Sequence, residues 1–169
     1  ISRINLMHCD PKNKNFNLEW LLTQAANDVD RDYLRRISQW RDDALCRNNF
    51  IEDRSQFALS LDDFKLWLSV LGAFSSLEVY VEIFRNNAHY LLPEFSARNA
   101  EVIIDVGAHQ GFYALRAKAE NPSCRLICIE PNPYSYELLK KNAETNQIDV
   151  ALHNKAVGKG TGDIMLEYI

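Results

Sequence analysis

Two periods divide this chain. Apolar residues recur at helical spacing through residues 18 to 97, and from residue 101 they gather into short, near-continuous runs. LEWLLTQAANDVDRDYLRRISQW, residues 18 to 40, mixes Leu, Trp and Ala with charges, has no internal glycine or proline, and predicts a helix. SLDDFKLWLSVLGAF, from Ser60, sets Ser60 and Asp63 in a capping-box arrangement. Helical spacing then puts Phe64, Trp67, Leu68 and Leu71 on one face, with Gly72 as the stop. Ser75 and Glu78 repeat the capping signal ahead of LEVYVEIFRNNAHYLL, and Pro93 follows its end. The aromatic stripe Phe64, Trp67, Tyr80, Phe84 and Tyr90 reads as core packing in preference to a substrate box.

From residue 101 the runs EVIIDV and RLICIE have the character of parallel strands buried on both faces. Between them GFYALRAKAENPS predicts a helix with Phe112, Leu115 and Ala119 inward, ended by Asn121-Pro122. Asn132-Pro133 reads as an N-cap with proline at the first helical position. YSYELLKKNAETN then predicts a helix with Leu138, Leu139 and Ala143 inward and the Glu137/Lys141 pair outside. VALHNKAV is a third strand; GKGTG turns the chain into DIMLEYI, a fourth. Alternating strands and helices define an α/β fold with a parallel sheet. The boundary near residue 98 is a change of period, so the expected regions are 1–98, helical, and 99–169, α/β.

Composition narrows the class. A chain of 169 residues that is 47% hydrophobic and 25% charged suits a globular domain with a sizeable core. The net charge of -4 offers no broad basic face, which counts against nucleic acid as a partner. Cys9, Cys46, Cys124 and Cys128 form no C-x-x-C pair, and their scatter suggests neither zinc nor a disulfide framework. Cys124 and Cys128 fall at a buried strand, where cysteine behaves as a small hydrophobe. No run approaches membrane-span length and no signal pattern opens the chain, so a cytoplasmic location is expected. No histidine has a partner spacing that suggests a metal site, and none is singled out as catalytic.

Ligands of such sheets bind at the carboxyl ends of the strands. There the chain reads Asp105-Val106-Gly107-Ala108-His109-Gln110-Gly111. A dinucleotide fingerprint starting at Gly107 needs glycine at positions 109 and 112, where His109 and Phe112 stand, so it fails twice. S-adenosylmethionine has no phosphate and carries a sulfonium and an ammonium beside one carboxylate. Asp105 suits its cationic end, and helix N-terminal N–H groups suit its carboxylate. Gly107 and Gly111 allow close approach of the ligand and of the next helix. Glu130, ending the second strand, can accept from both ribose hydroxyls, a feature that NAD-binding folds share.

IIDVGAHQGFYAL, ICIEPNPYSYELLKKNAETN and LHNKAVG together resemble the successive motifs of the FkbM family of S-adenosylmethionine-dependent methyltransferases: a D-x-G-A-x-x-G turn, an E-P-x-P-x-x-x-x-x-L-x-x-N segment and an N-x-A-[VL] motif. The resemblance covers residues 78 to 169; residues 1 to 75 carry nothing family-specific. It implies a Rossmann-like class I methyltransferase that uses S-adenosylmethionine to methylate a hydroxyl of a small molecule, sugar or glycan. Asp105, Gly107, Ala108 and Gly111 would line the methionyl side, and Glu130 would hold the ribose. Pro131 and Asn132 would shape the adenine-proximal turn, with Lys155 and Ala156 at the adenine edge. His109 stands where the family commonly has asparagine, either contacting the cofactor carboxylate or tolerating a left-handed turn. Lys155 replaces an acid that many methyltransferases use for the adenine amino group. The family's sheet has seven strands, so the chain is expected to carry only its first half, to be inactive alone, and to self-associate through an open strand edge. Two other readings stand beside this one: an RNA methyltransferase, and a partner-binding helical module on a half-sheet scaffold.

Overall fold

The computed structural model describes residues 17–42, 55–70, 72–86, 96–160, 162, 163 and 165. Its N-terminal part contains α1 (Leu18–Gln24), α2 (Asp28–Asp42), a hairpin of β1 (Gln56–Leu61) and β2 (Phe64–Ser69), and α3 (Ala73–Val81), which runs on as a π-helical turn, Glu82–Asn86. A short 3-10 turn, Ala97–Asn99, leads into β3 (Val102–Val106), α4 (Phe112–Glu120), β4 (Arg125–Ile129), α5 (Pro133–Thr145) and β5 (Ala151–His153). β3, β4 and β5 pair in parallel in that order, as the alternation of strands and helices predicted.

Helices α4 and α5 seal one face of this sheet. Ile103, Leu126 and Cys128 are buried there with Ala114, Ala117 and Leu139. Leu138, Leu139 and Ala143 point inward from α5 as expected, and Asn132 caps it by accepting from the N–H groups of Tyr134 and Ser135. Helix α4 differs in detail, because Ala119 is exposed and the buried face runs through Phe112, Ala114, Leu115 and Ala117. Lys118 is buried, its ammonium donating to the carbonyls of Pro122 and Cys124. Cys124 and Cys128 are buried free thiols, and burial pushes that of Cys128 up to about 12. The opposite face is not buried among the described residues: Val102, Ile104 and Val106 are 50%, 60% and 60% exposed.

The N-terminal part corrects the helical expectation. Residues 18–40 form two helices, because Asn27 accepts from the Asp30 N–H and starts α2 anew. The elbow between them lies on the hairpin, with Ala26 N–H donating to Ser60 O and Asp62 N–H to Gln24 O. Residues 60–69 belong to that hairpin and not to a helix. Phe57, Leu59, Leu61, Phe64, Leu66 and Leu68 alternate strictly across a two-residue turn, with Leu61 paired to Phe64. Period 2 therefore wins over the apparent capping box. Asp62, read within that box, turns the chain at φ 50° and accepts from the Tyr80 hydroxyl at 2.7 Å.

Trp67 consequently sits on the hairpin face opposite Leu66 and Leu68 and lies against α5. Its indole N–H donates to Thr145 Oγ1, and the Lys141 ammonium stands 3.4 Å from its ring centroid. Gly72 precedes α3 where it was expected to end a helix, and the Ser75 hydroxyl donates to Gly72 O. The aromatic stripe is core in part: Tyr80 stacks on Phe84 with centroids 4.3 Å apart, and Phe64 and Phe112 adjoin them. Phe112 and Leu115 share one buried cluster with Leu21, Leu34, Leu59 and Leu77, so the core runs on from the N-terminal part into α4. Leu71, His89, Tyr90, Pro93, Cys9, Cys46 and most of the expected fourth strand lie outside the described residues.

Two asparagines, Asn142 in α5 and Asn146 at its C-cap, close the outer edge of the hairpin. Asn142 accepts from Trp67 N–H at 2.6 Å and donates to Trp67 O at 3.3 Å. Asn146 does the same for Lys65 N–H and O, both at 2.9 Å. Lys65 and Trp67 oppose Ser60 and Ala58, and their outward backbone groups are the ones an edge strand leaves open. One helical turn of four residues rises about 6 Å and two strand residues about 6.8 Å, so the amides match the strand repeat.

Candidate functional site

The turn after β3 takes left-handed backbone at three positions, two of them glycine. Gly107 and Gly111 take φ 82° and 83°, and His109 between them takes φ 50°. The N–H groups of Gly107 and Ala108 both donate to Ile129 O, and Gly111 N–H donates to Ala108 O. His109 N–H donates to Glu130 Oε2 at 2.8 Å, while Asn132 N–H donates to Glu130 Oε1 at 2.8 Å. Glu130 is 5% exposed, so its carboxylate clamps the turn after β3 to the turn after β4. Asn154 extends the clamp to β5, its amide donating to the carbonyls of Glu130 and Pro131.

Above the turn lies a cleft of about 490 Å³, lined by Asp105, Gly107, Ala108, His109 and Gln110 with an apolar wall that includes Val79, Ile83 and Phe112. Asp105 Oδ2 is buried with no partner among the described residues. Burial, with Glu130 nearby adding to it, pushes the Asp105 carboxyl up to about 6. Burial lowers the pKa of His109, which Glu130 opposes only in part. A cationic or strongly donating group in the cleft would find Asp105 ready to pair with it.

Four of the residues singled out in the sequence come together here: Asp105, Gly107, Ala108 and His109. The two glycines separate in role. A side chain at Gly107 would meet nothing within 4 Å, which leaves room for a ligand against the backbone. At Gly111 a Cβ would fall 2.5 Å from Leu139 Cδ1, so this glycine lets α5 pack close. Glu130, Pro131 and Asn132 form the clamped turn behind His109, while Lys155 and Ala156 are exposed beyond β5; none of the five lines the cleft. With the N–H groups of 107–109 committed internally, a ligand carboxylate would have to be met at the first turn of α4, whose N-cap Gly111 supplies no side-chain bond.

Sequence reasoning passed over Gln110, Asn142 and Asn154. The two asparagines were legible as letters, ending the E-P-x-P segment and opening the N-x-A motif, but their partners are backbone groups distant in sequence. Gln110 had no such signal. Among the described residues no three His, Cys, Asp or Glu side chains are grouped to hold a metal ion. Nor is any described helix long and apolar enough to cross a membrane.

The residues fit S-adenosylmethionine, on the unpaired Asp105 oxygen and the open side of Gly107. A parallel α/β sheet with such a strand-end turn is Rossmann-like in kind. The chain belongs to the methyltransferase small domain family, whose model matches residues 72–169. It is 31% identical over 84 residues to 31-O-demethyl-FK506 methyltransferase FkbM of Streptomyces tacrolimicus, a match that covers 50% of this chain and 32% of that one. The chain thus spans about a third of the length of that relative. Among solved structures, a provisionally assigned transferase of Pyrococcus horikoshii matches 61% of this chain and 37% of its own, at 19% identity and a TM-score of 0.42.

Proposed function

We propose that the protein is an S-adenosylmethionine-dependent O-methyltransferase acting on a hydroxyl of a sugar, glycan or other small natural product. The observation that carries the reading is the cleft at the carboxyl end of β3, where Asp105 keeps an unpaired oxygen beside the open face of Gly107. The cofactor would supply a methyl group activated on a sulfonium. This chain's residues would bind and orient it: Asp105 toward the cationic methionyl end and Gly107 and Ala108 against the ligand, while Glu130 holds the two turns together beneath them. The relative named for 31-O-demethyl-FK506 supports a hydroxyl acceptor. No catalytic base is assigned to this chain.

The test is calorimetric titration with S-adenosylhomocysteine, followed by incubation with methyl-labelled cofactor and separate pools of hydroxylated small molecules, carbohydrates and RNA. Binding of the adenosyl compound and label in a hydroxylated pool are expected. Preference for NAD or NADP would refute the cofactor, and label in RNA alone would refute the acceptor class.

A further inference from the structure

We propose that Gln110 is a ligand-recognition residue: its side-chain oxygen and the free oxygen of Asp105 form a two-acceptor subsite for the α-ammonium group of the bound cofactor. The inference rests on the cofactor reading above and adds a residue to it. Buried polar side-chain atoms in folded proteins nearly always have a partner, and leaving one without costs stability. Among the described residues two such atoms break the rule, Asp105 Oδ2 and Gln110 Oε1. Both residues line the same cleft. Gln110 is 4% exposed, and its backbone carbonyl is held by the Asn142 amide at 2.9 Å, so the residue is fixed on the protein side.

Both orphan atoms are acceptors, so their missing partner is a donor. An ammonium carries three donors and can serve both oxygens at once, whereas a hydroxyl brings a single hydrogen and would leave one of them unserved. A cation also gains from the carboxylate, since charge-assisted bonds are roughly twice as strong as neutral ones. The neighbouring wall, with Val79, Ile83 and Ile103, offers no competing charge. Asp105 supplies the charge and Gln110 the second acceptor.

The experiment titrates the full chain with S-adenosylhomocysteine and with its analogue lacking the α-amino group. The wild type should prefer the amino compound by about tenfold or more. Gln110→Met should lose a clear part of that preference, about threefold or more, with the Asp105 charge keeping the rest, while binding the deaminated analogue as the wild type does. Gln110→Glu, which presents an acceptor in either orientation, should keep the preference. An unchanged preference in Gln110→Met, or a loss of it in Gln110→Glu, would overturn the inference and leave the cofactor reading standing. Wild-type protein that binds neither compound would overturn both. Unliganded Gln110→Met should melt no lower than wild type, since it fills similar volume without an orphan oxygen. A clearly lower melting temperature would mean that the amide is partnered in the free protein, which removes the premise.

Discussion

The two faces of the β3–β4–β5 sheet are made of the same kind of residue and have opposite fates. Ile103 is buried under the helices while its neighbour Ile104 is 60% exposed. The alternation continues along β3, with Val102 and Val106 on the open side. What differs is the layer above, because α4 and α5 pack on one side and no described residue seals the other. The strand's apolarity therefore belongs to an architecture with two helical layers, of which the described residues form one. Contiguous exposed aliphatic surface of this kind marks an interaction face or a liability to associate.

Gly111→Ala would force a Cβ onto Leu139 in a left-handed conformation, with an expected loss of about 2–5 kcal/mol in urea unfolding. Gly107→Ala carries the conformational strain alone, about 1–2 kcal/mol, and should weaken S-adenosylhomocysteine binding instead. Equal stability losses would mean that Gly107 is as closely packed as Gly111. Next in size, Leu126→Ala on the covered face should cost about 2–4 kcal/mol, while Ile104→Ala on the open face should stay within about 1 kcal/mol. A large loss at Ile104 would show that this face is covered in solution.

Smaller again is Asn142→Ala, expected to cost about 1–3 kcal/mol by leaving Trp67 N–H without its acceptor, and to raise proteolysis within residues 56–69. The smallest effect concerns pH. The Asp105 carboxyl, pushed up to about 6 by burial and then by Glu130, holds its proton longer folded than unfolded. Its contribution to stability is therefore fully present below about pH 4 and is lost as pH rises through 6. The groups around it are Glu130, the Cys128 thiol, which stays protonated, and His109, whose pKa is lowered. A cationic ligand favours the ionised carboxylate, so S-adenosylhomocysteine affinity should rise from pH 5 to pH 7. A flat profile would remove Asp105 from the cationic end.

The parallel sheet was legible because its strands, helix caps and turn glycines each carry a local signal, as at Asn132-Pro133. The hairpin was not, because DD between alternating residues imitates a helix start when read at period 3.6. Trp67, read as sharing a face with Phe64 and Leu68, lies instead on the other face of β2 against α5, and Leu66 takes a buried place. At the site, Asp105 and Gly107 were legible from position and conformational need. The internal engagement of Glu130 was not, since its partners are the backbone N–H groups of His109 and Asn132, which any residue would supply. Gly111 was read for both ligand and helix approach, and the Leu139 contact that supplies the second is distant in sequence.

The spacing of Asn142 and Asn146 restricts how this chain can drift. Their amides meet Trp67 and Lys65 only because Asn142 and the C-cap Asn146, four residues on, face the same side of α5. Inserting or deleting one residue between them would swing one amide about 100° around the helix and reopen half of the hairpin edge. Substitutions along the outer face of α5 are cheap by comparison, whereas changes of length in that turn should be purged.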